Sequence, residues 1–228
     1  MTETTTRTAG GARISAKSIA TVAMLCAIAF VAKLVSNVFP TVAGFLSFDL
    51  KDVVIVIGGF IMGPLTAAAI AFIVSLIEML TVSSTGPIGL LMNVLASCAF
   101  ACTAAVIYRR DHRMKGAVLG LAAGILCMTA VMLLWNWLIT PLYMKVPREV
   151  VVSMLLPTFL PFNLLKGGMN AALSMLLYKP VVTALRKARL VPESQSGQKG
   201  SARWGVILIS AVLLASFVLL ALVLAGVI

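Results

Sequence analysis

Leu160-Pro161-Phe162-Asn163-Leu164-Leu165-Lys166-Gly167-Gly168 sets a carboxamide and an ammonium group into the first turns of a long apolar run. Charge inside such a run is costly, so the segment reads as a membrane span that also carries a site. Pro161 suits the first position of a helix. Asn163 and Lys166 then share one face, three residues apart, near the positive N-terminal end. That face suits a polar, electron-rich ligand.

Outward from this stretch, composition sets the class. Of 228 residues, 61% are hydrophobic and 11% charged, and the mean hydropathy is +1.09. That leaves too little polar surface to coat a soluble globule, and the chain is expected to be an all-α integral membrane protein. No stretch reads as a soluble domain, a cleavable signal peptide or a nucleic-acid-binding patch. The formal charge of +11 is concentrated in three clusters: Arg7, Arg13 and Lys17; Arg109, Arg110, Arg113 and Lys115; and Arg186, Lys187, Arg189, Lys199 and Arg203. The positive-inside rule makes these the cytoplasmic segments, so no nucleic-acid partner is expected.

Seven helices follow from the apolar runs: 18–37, 50–62, 65–82, 88–108, 116–139, 161–185 and 204–227. All three basic clusters then fall on one side of the membrane. A cytoplasmic N-terminal tail (1–17) precedes a six-helix membrane domain (18–190). A flexible cytoplasmic linker (191–203), rich in Gly, Ser and Gln, leads to the seventh helix (204–228). The N-terminus is placed in the cytoplasm and the C-terminus outside if the last helix spans. The second helix has about half a usual span, with Asp49 as expected N-cap, Asp52 three residues on as a variant capping box, and Gly63-Pro64 as its turn into the third.

Two loops are expected on the outer side. Residues 39–48, Phe-Pro-Thr-Val-Ala-Gly-Phe-Leu-Ser-Phe, are more apolar than a solvated loop requires, so they should pack over something. Residues 140–160 carry Lys145, Arg148 and Glu149 and are interrupted by Pro141, Pro147 and Pro157, which argues against a span. Both flank the start of the sixth helix, where a site would have a lid.

Four motifs carry a family resemblance: Phe-Asp-Leu-Lys-Asp (48–52), Gly-Pro-Leu (63–65), Asn-Trp-Leu-Ile-Thr-Pro-Leu-Tyr-Met (136–144) and the 160–168 stretch. Together they resemble the riboflavin-specific S components of energy-coupling factor (ECF) transporters, the RibU type, over the first six helices. The resemblance implies a six-helix S-component bundle in a bacterial cell membrane that captures riboflavin from outside. It also implies delivery by docking on a transmembrane coupling (T) subunit driven by two ABC-type ATPases. The chain has no phosphate-binding loop motif of its own, so ATP would be used only by partners, with riboflavin as transported ligand and no bound cofactor.

The pyrimidine edge of a flavin alternates carbonyl acceptors with an N–H donor, and an Asn amide complements both. Asn136 and Asn163, near helix ends on the same side, could converge on that edge, with Lys166 on a ring carbonyl or ring nitrogen. In the family pattern the matching residues bind flavin and the first outer loop, here Leu46, Ser47 and Phe48, covers it. Each residue has a plainer reading: Lys166 snorkelling to the surface, and Asn136 and Asn163 as hydrogen bonds between helices. Asn170 and Asn93 are expected to fasten helices, and Trp135 and Trp137 to belong, at least one of them, to the interfacial belt.

On the first helix, Ala16, Ala20, Ala23, Ala27, Ala29 and Ala32 are small residues that permit close helix approach. Internal packing is the plain reading. The family resemblance implies that an Ala-x-x-x-Ala strip docks the coupling subunit, and Ala23 and Ala27 are the matching pair.

Some positions depart from the family pattern. Relatives carry Glu three residues before Lys on the third helix, where this chain has Ser75 and Glu78, and Leu90 stands where a polar residue follows the Gly. Glu78 is an intramembrane acid with Lys33 as candidate partner by charge alone. Another vitamin or a flavin analogue is the alternative ligand. The seventh helix is also a departure and reads as appended, so deleting residues 191–228 is expected to leave riboflavin affinity intact.

Cys26, Cys98, Cys102 and Cys127 lie in spans without metal-site spacing, and His112 belongs to a basic loop. No catalytic constellation is evident, paired ionisable groups are lacking on this reading, and no enzyme is expected. The alternative from another class is a membrane assembly protein whose polar groups only fasten helices.

Overall fold

A computed structural model describes residues 15–190, 204–224 and 226. The elements are α1 (Ala16–Ser36), α2 (Lys51–Met62), α3 (Pro64–Thr81), α4 (Gly86–Arg110), α5 (Met114–Leu138), α6 (Thr140–Met144), α7 (Arg148–Met154), α8 (Leu160–Lys187) and α9 (Trp204–Leu224). Among the described residues, five helical stretches are long and apolar enough to cross a membrane: α1, α3, α4, α5 and the run Arg148–Lys187, while α9 contributes a shorter apolar segment, Ile207–Val223. The protein is therefore a multi-pass, all-helical membrane protein. The linker 191–203, the first 14 residues and their basic groups, Arg7, Arg13, Lys199 and Arg203, lie outside the described residues.

α2 is the axis of the bundle. Its 12 residues reach only about 18 Å, well short of a hydrocarbon core of about 30 Å, and every residue from Lys51 to Phe60 is buried. A helix this short survives there because its neighbours, not lipid, enclose its ends: α1, α3, α4 and α8 all pack on it. Gly63, at φ 99°, makes the turn into α3 in a conformation L side chains avoid, and Pro64 starts the next helix without wasting an N–H. α4 lies against α3 and α5, α8 against α5, and α9 against α8.

The described members of the three basic clusters gather at one end. Thr21 Oγ1 donates to the Leu190 carbonyl at 3.1 Å, joining the start of α1 to the end of α8. The hydroxyls of Tyr108 and Tyr178, 3.3 Å apart, tie the end of α4 to the same region. Lys17, Arg109, Arg110, Arg113, Lys115, Arg186, Lys187 and Arg189 thus share this end, as the sequence suggests.

Two local expectations are overturned. Asp49 does not cap α2: Leu50 occupies the N-cap with no side-chain cap bond, because the Asp49 carboxylate is engaged by two ammonium groups described below. Residues 140–160 are not an open proline-broken loop. Pro141 enters the first turn of α6 and Pro147 caps α7, positions that need no N–H from proline. Pro157 sits in Leu155–Phe159, which winds as π-helix and so relieves the proline clash without ending the run. The N–H of Leu160 consequently bonds back to the Leu155 carbonyl. α8 therefore has no free N-terminus, and Pro161 is its second residue; the expected helix-end field at Asn163 and Lys166 loses its basis.

Candidate functional site

At the end opposite the basic clusters, two contiguous cavities open between α1, α3, α4, α5 and the loop 37–50. The larger has a volume of about 500 Å³ and is lined by groups including Lys33, Glu78, Asn93, Trp135 and Tyr143. The smaller, about 70 Å³, continues inward and is lined by Asn136, Asn163, Lys166, Met128, Met132 and Phe162, among others. Phe45, Leu46, Ser47, Asp49, Met92 and Asn93 border both. The three polar residues expected from α5 and α8 are thus brought to a single recess.

The loop that roofs them is held at both ends and folded on itself. The Leu50 N–H donates to Ser36 Oγ at 2.8 Å. Val42 and Leu46 exchange backbone hydrogen bonds of 2.8 and 3.0 Å around a tip in which Ala43 (φ 52°) and Gly44 (φ 79°) adopt left-handed conformations. Leu46 and Ser47 face the cavities. Phe48 does not: it lines neither, and its ring packs on Phe162 with centroids 5.1 Å apart. Its expected place over a ligand is corrected accordingly, because an almost fully buried phenyl ring gains more against the α8 face than over a polar recess.

The polar side chains are preset by their own helices. Asn136 Nδ2 donates to the Met132 carbonyl at 2.8 Å and its Oδ1 accepts from Thr140 Oγ1 at 2.8 Å. Asn163 Nδ2 donates to the Phe159 carbonyl at 2.7 Å, at the end of the π turn. Lys166 does not snorkel to a surface; its Nζ lies 3.0 Å from Asp49 Oδ2.

That contact belongs to a buried charge network which sequence reasoning did not assemble. Lys33 Nζ approaches Asp49 Oδ1 at 2.7 Å and Glu78 Oε1 at 3.6 Å. Lys51 pairs with Glu78, and Asn93 Nδ2 donates to the same carboxylate at 3.3 Å. Ser97 Oγ donates to Asp52 at 2.5 Å. Three ammonium groups and three carboxyls, all nearly removed from solvent, therefore cluster beside the cavities, with Lys33, Asp49, Glu78 and Lys166 in the lining and Lys51 and Asp52 behind it. Such charges persist in an apolar interior only when paired and hydrogen-bonded. The expectation that paired ionisable groups are lacking is overturned, while Lys33 does stand near Glu78 as its charge suggested. A signal existed: between residues 18 and 108 the chain has five charged residues, Lys33, Asp49, Lys51, Asp52 and Glu78, and all five come to this place.

Of the other expected residues, Asn93 borders both cavities as well as bonding Glu78, and Asn170 is buried with its Oδ1 unpartnered. The two tryptophans divide: Trp135 faces the larger cavity, whereas Trp137 is 40% exposed with the Arg148 guanidinium 5.4 Å from its ring. The alanines of α1 divide too. Ala16, Ala20, Ala23 and Ala27 lie on the outer face of the bundle, while Ala29 is buried in the core.

Residues 17–178 match the family described as ECF transporter, substrate-specific component. A Staphylococcus aureus protein described as riboflavin transporter RibU is 28% identical over 177 residues, covering 75% of this chain and 93% of that one. A Bacillus subtilis protein described as riboflavin transporter FmnP is 28% identical over 186 residues, covering 76% and 98%. A solved structure, reported under the heading of the structure and mechanism of the S component of a bacterial ECF transporter, superposes with a TM-score of 0.62 at 30% identity. It covers 74% of this chain and 96% of its own. A match over most of the chain, on a bundle with one roofed cavity system and a buried polar wall, places this protein in the family of substrate-specific S components of ECF transporters, a transport protein and not an enzyme.

Proposed function

We propose that this S component captures riboflavin in the roofed cavity and hands it to partner subunits, a membrane coupling subunit and two ATPases, for uptake. The observation that carries the reading is the convergence of Asn136, Asn163 and Lys166 on one recess beneath Leu46 and Ser47. The combined space, about 500 Å³ and about 70 Å³, falls within the range of pockets that hold ligands of this size. Trp135, Met92 and Ile88 supply apolar surface for ring faces. The names of the relatives add support at 28% identity. The positive-inside rule puts the cavity on the outer side of the bacterial cell membrane, opposite the basic clusters. No bound cofactor is needed.

The competing reading, an assembly protein whose polar groups fasten helices, draws on the hydrogen bonds of the two asparagines. Those bonds run to residues four positions away, Met132, Thr140 and Phe159, and so orient the amides rather than join helices. Orientation before arrival is what a recognition site requires.

Purified protein in detergent should quench riboflavin fluorescence on titration without nucleotide and carry a flavin absorption band if isolated with ligand. A colourless preparation that quenches nothing would remove riboflavin as the ligand. Asn163→Ala and Lys166→Ala should each weaken binding by roughly 1–3 kcal/mol through stranding of a buried polar partner. Equal affinity in both variants would move the site elsewhere.

A further inference from the structure

α9 lies beyond the family match, which ends at residue 178, yet it is not a free appendage. The residues it turns inward, Ser210, Leu214, Phe217, Val218, Ala221 and Leu222, follow a spacing of four, three, one, three and one, a single helical face. The upper part of that face touches more than α8. Val42 and Phe48 of the roofing loop form one apolar cluster with Phe162, Leu165 and Met169 of α8 and Ala221 of α9, with Phe217 and Val218 packed against it. Only about 10 Å³ of void remains between Phe39, Pro40 and Phe48 on the loop and Val218, Ala221 and Leu222 on α9.

We propose that α9 is a clamp on the cavity roof: it holds the back of the 37–50 loop through Phe48 and Val42 and thereby sets how often the cavity opens. Leu46 and Ser47 border the cavities, Val42 and Phe48 lie in the shared cluster, and Leu46 also packs against that cluster and so links the two. Loosening Val42 and Phe48 should free Leu46 and Ser47, because residues 42–46 are joined in one hydrogen-bonded turn. Gly168 makes the approach possible. A Cβ there would stand 2.5 Å from the Phe217 ring, so glycine lets α9 sit close enough to reach the loop. The consequence for ligand residence rests on the proposed riboflavin reading; the consequence for the loop does not. The clamp stands against the expectation that deleting residues 191–228 leaves riboflavin affinity intact.

The test uses the full-length protein in detergent and hydrogen–deuterium exchange at the Val42 and Leu46 amides, whose bonds report loop opening. Phe217→Ala removes the clamp from α9. Gly168→Ala displaces it from the α8 side without touching α9 and improves local helix propensity. Both should speed exchange at these amides by roughly five- to tenfold and raise the riboflavin dissociation rate by a similar factor, with a smaller change in association. Leu208→Ala, at a position 67% exposed on α9, should match the unaltered protein. Unchanged loop exchange in both Phe217→Ala and Gly168→Ala overturns the clamp. Accelerated exchange in a protein that binds no riboflavin at all supports the clamp and rejects the ligand instead.

Discussion

Lys51→Met is expected to destabilise the fold by about 3 kcal/mol or more, near the lower end of what removal of one partner from a buried ion pair costs. Lys51 and Glu78 are each about 1% exposed at the centre of the bundle. Without the Lys51 ammonium, Glu78 keeps Lys33 at 3.6 Å and Asn93 at 3.3 Å, which is why the loss should not reach the extreme. Methionine fills the same space with no charge. The measurement is thermal unfolding in a fixed detergent, and the control is the double variant Lys51→Met with Glu78→Leu. If the pair is coupled, the double variant should be more stable than Lys51→Met alone, since no carboxylate is left stranded. Additive losses would show that the two residues contribute through packing and not as a pair.

Uptake should disappear, with riboflavin capture intact, when Ala23 and Ala27 are both replaced by leucine. We extend the proposed function to the outer face of α1, where the family resemblance implies that the coupling subunit docks. These two methyl groups stand on that face, one helical turn apart and outside the core. Helices in a membrane approach closely only across small residues, so leucines would hold a partner helix away while leaving unaltered the cavity, which α1 reaches only through Lys33 and its C-cap Asn37. Riboflavin titration of the purified variant should agree with the parent within about twofold, a spread expected for substitutions remote from a site. Vitamin uptake by cells also producing the coupling subunit and ATPases should fall to background, and the variant should no longer co-purify with them. Lost binding with retained co-purification would reverse the assignment and make the strip part of the internal packing.

Much of the architecture was legible because bilayer thickness constrains sequence so strongly. Apolar runs of 18 residues or more mark α1, α3, α4, α5 and α8 to within a few residues, and the shortness of α2 is visible as a run that stops at Gly63. The 140–160 region was misread because proline rules describe α-helix; a π turn at Leu155–Phe159 tolerates Pro157 and carries the helix onward. Asp49 was misread because a local capping pattern cannot show that Lys33 and Lys166, from 16 positions before and 117 after, reach the same carboxylate.

The candidate site divides along the same line. Asn136, Asn163 and Lys166 stood out singly, as polar groups in apolar helices do, but their meeting depends on how α5 and α8 are packed. Phe48 follows Leu46 and Ser47 in sequence, yet its ring packs on Phe162 of α8, a contact that depends on where α8 lies and not on the loop's own residues.

Sequence alone determined that this chain lives in a membrane as a helical bundle, with its basic ends together and its few internal charges in need of partners, since hydrocarbon solvates neither charge nor bare backbone. Which carboxylate meets which ammonium, which residues of the covering loop border the cavities, and whether the last helix reaches that loop were decided by packing. Those contacts join residues far apart along the chain, where no local propensity acts.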